Sequence, residues 1–120
     1  MPRIWVVDDQ QDILDVVKIV LDDAGYQTNT YQNSACFRQP MENPPDLILL
    51  DILLSGEDGR VICHQLKHHK QTEHIPVILL SAHFKAAGAI EGCGADDFLA
   101  KPFHLDELVN MVKKHLPAGR

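Results

Sequence analysis

Four short apolar runs in this chain each end in a residue able to do chemistry. Ile4-Trp5-Val6-Val7 leads into Asp8-Asp9, Leu47-Ile48-Leu49-Leu50 into Asp51, Val77-Ile78-Leu79-Leu80 into Ser81, and Phe98-Leu99-Ala100 into Lys101. Aliphatic runs of this length read as strands buried on both faces, as in a parallel sheet covered by helices. In such a sheet the carboxyl ends of all strands lie on one edge, where ligands bind. Three carboxylates, a hydroxyl and an ammonium would then share one pocket. Crowded carboxylates repel one another, and a bound cation relieves the repulsion. A few hard oxygen ligands favour Mg²⁺, with Mn²⁺ as the alternative, and such an ion readily shares a substrate phosphate. The set therefore suits phosphoryl transfer. Asp51 would be the nucleophile and form an acyl phosphate, while Lys101, the Ser81 hydroxyl and the ion stabilise the phosphoryl oxygens.

The intervening segments supply the helices this arrangement needs. Ile13, Leu14, Val16, Val17, Val20, Leu21 and Ala24 recur at helical spacing, with Asp12 in the first turn and Gly25 where a C-cap belongs. Tyr26–Tyr31 is β-prone but polar on alternate positions, which suits an edge strand. A short helix is expected between Asn33 and Met41, broken near Pro40. Val61, Ile62, Cys63 and Leu66 mark a helix running to about His69, and Leu105 to Leu116 a final amphipathic one. Phe84 to Gly94, rich in glycine and alanine, allows a short helix at most. Strands alternating with helices imply a doubly wound α/β fold with right-handed crossovers. The expectation is one domain over residues 1–120: a five-stranded parallel sheet, flavodoxin-like, in the order 2-1-3-4-5. About five helices flank it, the fourth of them short.

The ordered set of motifs resembles the receiver domain of two-component response regulators, the fold of the chemotaxis regulator CheY. The matching stretches are Val6-Val7-Asp8-Asp9, Pro45 to Asp51 with Gly56 and Asp58-Gly59, Ile75-Pro76-Val77-Ile78 with Ser81-Ala82, and Gly94 to Phe103. They cover essentially the whole chain. The resemblance implies that Asp51 is phosphorylated by a histidine kinase or a histidine phosphotransfer protein, and that a downstream output domain or protein reads the result. It implies Mg²⁺ held by Asp9, Asp51 and the backbone carbonyl of Leu53, with Asp8 acting mainly through water. Ser81 and Phe98 would be the switch residues, Lys101 would pair with the phosphoryl group, and the Lys101–Pro102 peptide would be cis. The pattern departs from the family at Ser55, where proline is common, and at Glu57, where an apolar residue is usual. Neither departure is expected to touch the chemistry. The stretch from Ser81 to Gly94 is also about two residues short.

Composition narrows the alternatives. A net charge of −6 argues against a general nucleic-acid or anionic-membrane binder. Three cysteines without CxxC spacing indicate a reducing compartment, no disulfide framework and no zinc site. No apolar run approaches the ~20 residues of a membrane span, and no signal peptide is read, so the cytoplasm is the default. A phosphohydrolase of the haloacid dehalogenase type would need a second Asp where Leu53 stands. A dinucleotide-binding module would need glycines where Asp8-Asp9-Gln10-Gln11 stands. A pseudo-receiver that only binds partners would have no use for the full acceptor and metal set. The expected protein is a signalling switch acting only on its own phosphorylation state, whether stand-alone or part of a larger regulator. His64 and His68 stand four apart on one helix without a third ligand, His83 lies two residues beyond Ser81, and His115 sits at a helix end that favours cations.

Overall fold

The computed structural model describes residues 2–38, 43–82 and 92–116. In chain order its elements are β1 (Arg3–Val7), α1 (Gln11–Asp23), β2 (Gln27–Tyr31), a 3₁₀ helix (Ser34–Arg38), β3 (Leu47–Asp51), β4 (Leu53–Leu54), β5 (Glu57–Asp58), α2 (Gly59–Lys67), β6 (Val77–Ser81), β7 (Asp97–Ala100) and the final helix, here α3 (Leu105–His115). Five strands form one parallel sheet in the order β2-β1-β3-β6-β7, and β4 and β5 pair separately as an antiparallel hairpin. Counting the long strands alone, this is the order 2-1-3-4-5 expected from the sequence. The polar strand β2 lies at an edge, and the aliphatic β3 and β6, buried at every residue, lie inside.

Strand alternation sorts the core into two layers. Ile4, Val6, Leu47, Leu49, Ile78, Leu80 and Leu99 face Leu14, Val17 and Leu21 of α1 and Leu108 and Val112 of α3. On the other face Trp5, Val7, Ile48, Leu50, Val77 and Leu79 meet Ile62, Cys63 and Leu66 of α2. Asp51 continues the row of Leu47 and Leu49, so it belongs to the α1 and α3 side of the sheet.

Local chemistry sets the helix ends. The Asp8 carboxylate accepts the Gln10 N–H at 2.9 Å just before α1, and Asp58 accepts the Arg60 N–H at 2.9 Å to cap α2. Gly25, with φ of 98°, reverses the chain after α1. The helix expected between Asn33 and Met41 is a 3₁₀ helix where it is described. His83, and most of the expected fourth helix, lie outside the described residues.

Candidate functional site

The register of the sheet assembles the site. Val7 is paired with Leu50, and Asp51 with Leu80, so Asp8 emerges beside the end of β3. Ser81 pairs with Ala100, and the Lys101 N–H donates to the Ser81 carbonyl at 2.7 Å. Lys101 thus leaves the sheet two strands away from Asp51, across β6, and its long side chain reaches back. Its Nζ lies 2.7 Å from Asp8 Oδ2 and 3.5 Å from Asp51 Oδ2. Asp8 is fully buried and Asp51 and Ser81 nearly so.

Asp8, Asp9 and Asp51 each bring one carboxylate oxygen within 4.8 Å of the others, the one such group of His, Cys, Asp and Glu among the described residues. An oxygen-only donor set of this kind fits a hard divalent ion and not a soft one. The electrostatics agree. Burial, and then the neighbouring Asp8 carboxylate, push the Asp51 carboxyl up to about 6, against the pull of Lys101 and the Leu53 N–H, with Asp9 adding a smaller upward push. A buried carboxylate held this way gains from any positive charge delivered to it.

The hairpin after β3 shapes the mouth of the site. The Leu53 N–H donates to Asp51 Oδ1 at 3.2 Å, while the Leu53 side chain is 53% exposed beside it. Gly56, with φ of 74°, makes the turn. The Ser55 hydroxyl donates to Asp9 Oδ2 at 2.9 Å. This corrects the expectation that Ser55 stands apart from the chemistry: it holds one of the three carboxylates. Glu57 points elsewhere, accepting from Ser34 Oγ at 2.6 Å and from Arg38 at 3.0 Å.

Sequence reasoning also missed the role of Gly59. Its N–H donates to the Ile52 carbonyl at 2.7 Å, and a Cβ there would meet the Asp51 carbonyl oxygen at 2.2 Å. The start of α2 is therefore packed directly behind the acidic residue, and only glycine leaves room for it. The Asp58-Gly59 pair was the available signal.

The remaining residues singled out earlier fall as follows. Phe98 is half-buried and packs against the cluster containing Trp5 and Leu79, on the face of the sheet away from Asp51. The Lys101–Pro102 peptide is cis. The three cysteines are free thiols, two of them buried. His64 and His68 are exposed on α2. His115 is not merely a helix end: its Nε2 lies 2.8 Å from Asp97 Oδ2, with Lys114 Nζ 3.3 Å from the same oxygen.

Comparison with known proteins yields a match to the family described as response regulator receiver domain over residues 4–113. The chain is 37% identical over 116 residues to the DNA-binding dual master transcriptional regulator RpaA of Synechocystis, covering 94% of this chain and 48% of that protein. It is 38% identical to the phosphate regulon transcriptional regulatory protein PhoB of Pseudomonas aeruginosa, covering 92% and 49%. The chain thus spans about half the length of these relatives. Among solved structures, the Thermotoga maritima response regulator TrrA in complex with Mg²⁺ and BeF superposes with a TM-score of 0.85 at 32% identity, covering 97% of this chain and all of that one. The receiver domain of a histidine kinase from Syntrophus aciditrophicus superposes with a TM-score of 0.87 at 34% identity, covering 97% and 90%.

Proposed function

The chain belongs to the response regulator receiver domain family of two-component signalling, and from that premise we propose that Asp51 is its phosphoacceptor. The observation that carries this reading is the position of Lys101 Nζ, 2.7 Å from Asp8 and 3.5 Å from Asp51 at the edge where the strands end. An Asp51 carboxylate oxygen attacks the phosphorus of a phosphohistidine. The new P–O bond forms as the P–N bond breaks, and the departing imidazole takes up a proton. Lys101 turns from the carboxylates to the incoming phosphoryl oxygens, and Ser81 moves to donate its hydroxyl to them. Asp9, Asp51 and the Leu53 carbonyl would hold Mg²⁺, or Mn²⁺, with Asp8 acting through water. The ion supplies charge neutralisation for both the crowded carboxylates and the transferred group. Ser55 and the Leu53 N–H keep Asp9 and Asp51 oriented.

Phosphorylation then biases two arrangements of the β6 and β7 ends. Ser81 and Lys101 bind the new charge in only one of them, and Phe98 turns inward to fill the space released. The surface so altered is read by an output domain or protein, and hydrolysis of the acyl phosphate at the same site resets it. We place the protein in the cytoplasm; no described helix is long and apolar enough to cross a membrane.

The donor is a histidine kinase or a histidine phosphotransfer protein. A shallow apolar groove adjoins the site, lined by Ile13, Val16, Val17, Pro102, Phe103 and Leu105, and it shares Lys101 with the acidic cluster. We take it as the landing face for the protein that carries the phosphohistidine, because anything seated there is held beside Asp51.

The test is intact mass after incubation with acetyl phosphate and Mg²⁺, for the wild type and Asp51→Ala in parallel. A single phosphoryl adduct, absent from the variant and absent without Mg²⁺, is the expected result. An adduct that survives Asp51→Ala would overturn the assignment.

A further inference from the structure

His64 and His68 are exposed on the solvent side of α2, opposite Ile62, Cys63 and Leu66, which face the core. Their rings stack with centroids 4.0 Å apart and planes within 24°. The His68 Nδ1 lies 2.8 Å from the His64 carbonyl oxygen. A carbonyl can only accept, so Nδ1 carries a proton, and in the neutral ring Nε2 then carries the lone pair. This is the arrangement of a metal-binding imidazole whose second nitrogen is fixed by a backbone oxygen. The His64 ring nitrogens have no hydrogen-bond partner among the described residues. We infer that His64 and His68 form a two-imidazole binding site for a divalent transition-metal ion of the Cu²⁺, Ni²⁺ or Zn²⁺ type, separate from the acidic cluster.

Three features support the site. The two residues stand four apart at the exposed end of one helix, the spacing at which a pair of imidazoles holds one Zn²⁺ in H-E-x-x-H helices, and their rings, stacked at 4.0 Å, are close enough to turn apart towards a common ion. His68 is the C-cap of α2, and cations are favoured at a helix C-terminus, where the last carbonyls point. Two basic side chains of the same helix, Lys67 and Arg60, are also engaged elsewhere. Lys67 Nζ donates to the Ile75 carbonyl and pairs with Asp96 at 2.6 Å, and Arg60 is held by Asp58 at 2.7 Å.

Ligand softness separates the two sites. Imidazole nitrogens prefer the borderline ions late in the first transition row, whereas the oxygens of Asp8, Asp9 and Asp51 prefer Mg²⁺. Saturating Mg²⁺ should therefore occupy the carboxylates and leave the histidine pair open.

The experiment is a Cu²⁺ titration of the Mg²⁺-saturated protein, read by calorimetry and by the visible absorption of nitrogen-coordinated Cu²⁺. Wild type, His64→Gln, His68→Gln and His69→Gln are compared. All of these positions are exposed, so the fold is retained, and far-UV circular dichroism checks that it is. One saturable ion is expected in the wild type and in His69→Gln, with that binding event lost in both His64→Gln and His68→Gln. Equal binding in all four proteins, or equal loss in His69→Gln, would overturn the proposal.

Discussion

At the scale of single residues, the site is built from groups that are uncomfortable in the folded protein. Burial and the Asp8 carboxylate move Asp51 from 3.8 to about 6. Its folded-state value thus lies above its unfolded one, so the folded protein holds the proton more tightly. Stability is greatest below pH ~4 on this account and falls as pH rises towards 6. At ~1.4 kcal/mol per pH unit, the loss is on the order of 3 kcal/mol. Asp51→Asn removes the charge and keeps the shape. In metal-free buffer at pH 7 the variant is expected to be more stable than the wild type by about 1–3 kcal/mol, with the gain shrinking as pH drops towards 4. Denaturant unfolding across that pH range measures it, and a variant less stable at pH 7 would contradict the argument. Ser55 works in the other direction. Its hydroxyl orients Asp9 at 2.9 Å, so Ser55→Ala should weaken Mg²⁺ binding by about tenfold, the usual cost of losing an outer partner of a metal ligand. Calorimetric Mg²⁺ titration of the two proteins reads this directly.

At the scale of elements, two packing relations connect the scaffold to the chemistry. The first is the close approach of α2 to the end of β3 at Gly59. An added methyl would strike the Asp51 carbonyl oxygen at 2.2 Å and the Ile52 Cα at 2.8 Å, and backbone atoms cannot step aside as a flexible side chain can. Gly59→Ala is expected to cost about 1–3 kcal/mol, and to slow phosphorylation by acetyl phosphate because Asp51 shifts with its own backbone. Normal stability with normal phosphorylation would show that the helix start relaxes instead. The second relation is the exposed apolar stripe of α1. Leu14, Val17 and Leu21 fill the core, yet Val16 is 46% and Ile19 69% exposed. Val16→Asp leaves the core intact, so its effect on stability should stay within about 0.5 kcal/mol. Phosphotransfer from a protein phosphohistidine donor should slow at least tenfold, while phosphorylation by acetyl phosphate is unchanged. Equal slowing with both donors would place the defect in the site and not on the landing face.

At the scale of the whole molecule, what was legible in the sequence follows from the parallel sheet itself. Parallel strands are buried on both faces, so they are written as uninterrupted aliphatic runs, and they all point the same way. The end of each run was therefore enough to place Asp8, Asp51, Ser81 and Lys101 on one edge. Contacts made by loops carry no such signature. The Ser55–Asp9 bond depends on how the β4–β5 hairpin turns at Gly56, and Gly59 announces its close packing only once α2 is in place. His115 already had a local explanation in its helix end, which concealed its pairing with Asp97 across 18 residues of sequence. Together with the Tyr26 hydroxyl, which donates to the Leu116 carbonyl at 3.1 Å, that pairing fastens α3 to both edges of the fold.

The same architecture couples the site to global stability. Asp8, Asp9 and Asp51 hang from adjacent strand ends of a single sheet, so the repulsion among them acts on the fold as a whole, and a cation that relieves it should stabilise the whole. Mg²⁺ at 100 times its dissociation constant adds about 2.7 kcal/mol if it binds only the folded state. For a domain near this size that corresponds to a rise in Tm of roughly 10 °C. The effect needs Asp51 ionised, so it should be full at pH 7.5 and fade as pH falls through about 6. It should also be largely lost in Asp51→Asn, which is already relieved of the repulsion. Thermal unfolding with and without Mg²⁺ at the two pH values, for both proteins, checks each part. A Tm that rises equally in Asp51→Asn would mean the ion binds away from the strand ends, and that the acidic cluster is not what ties this site to the stability of its sheet.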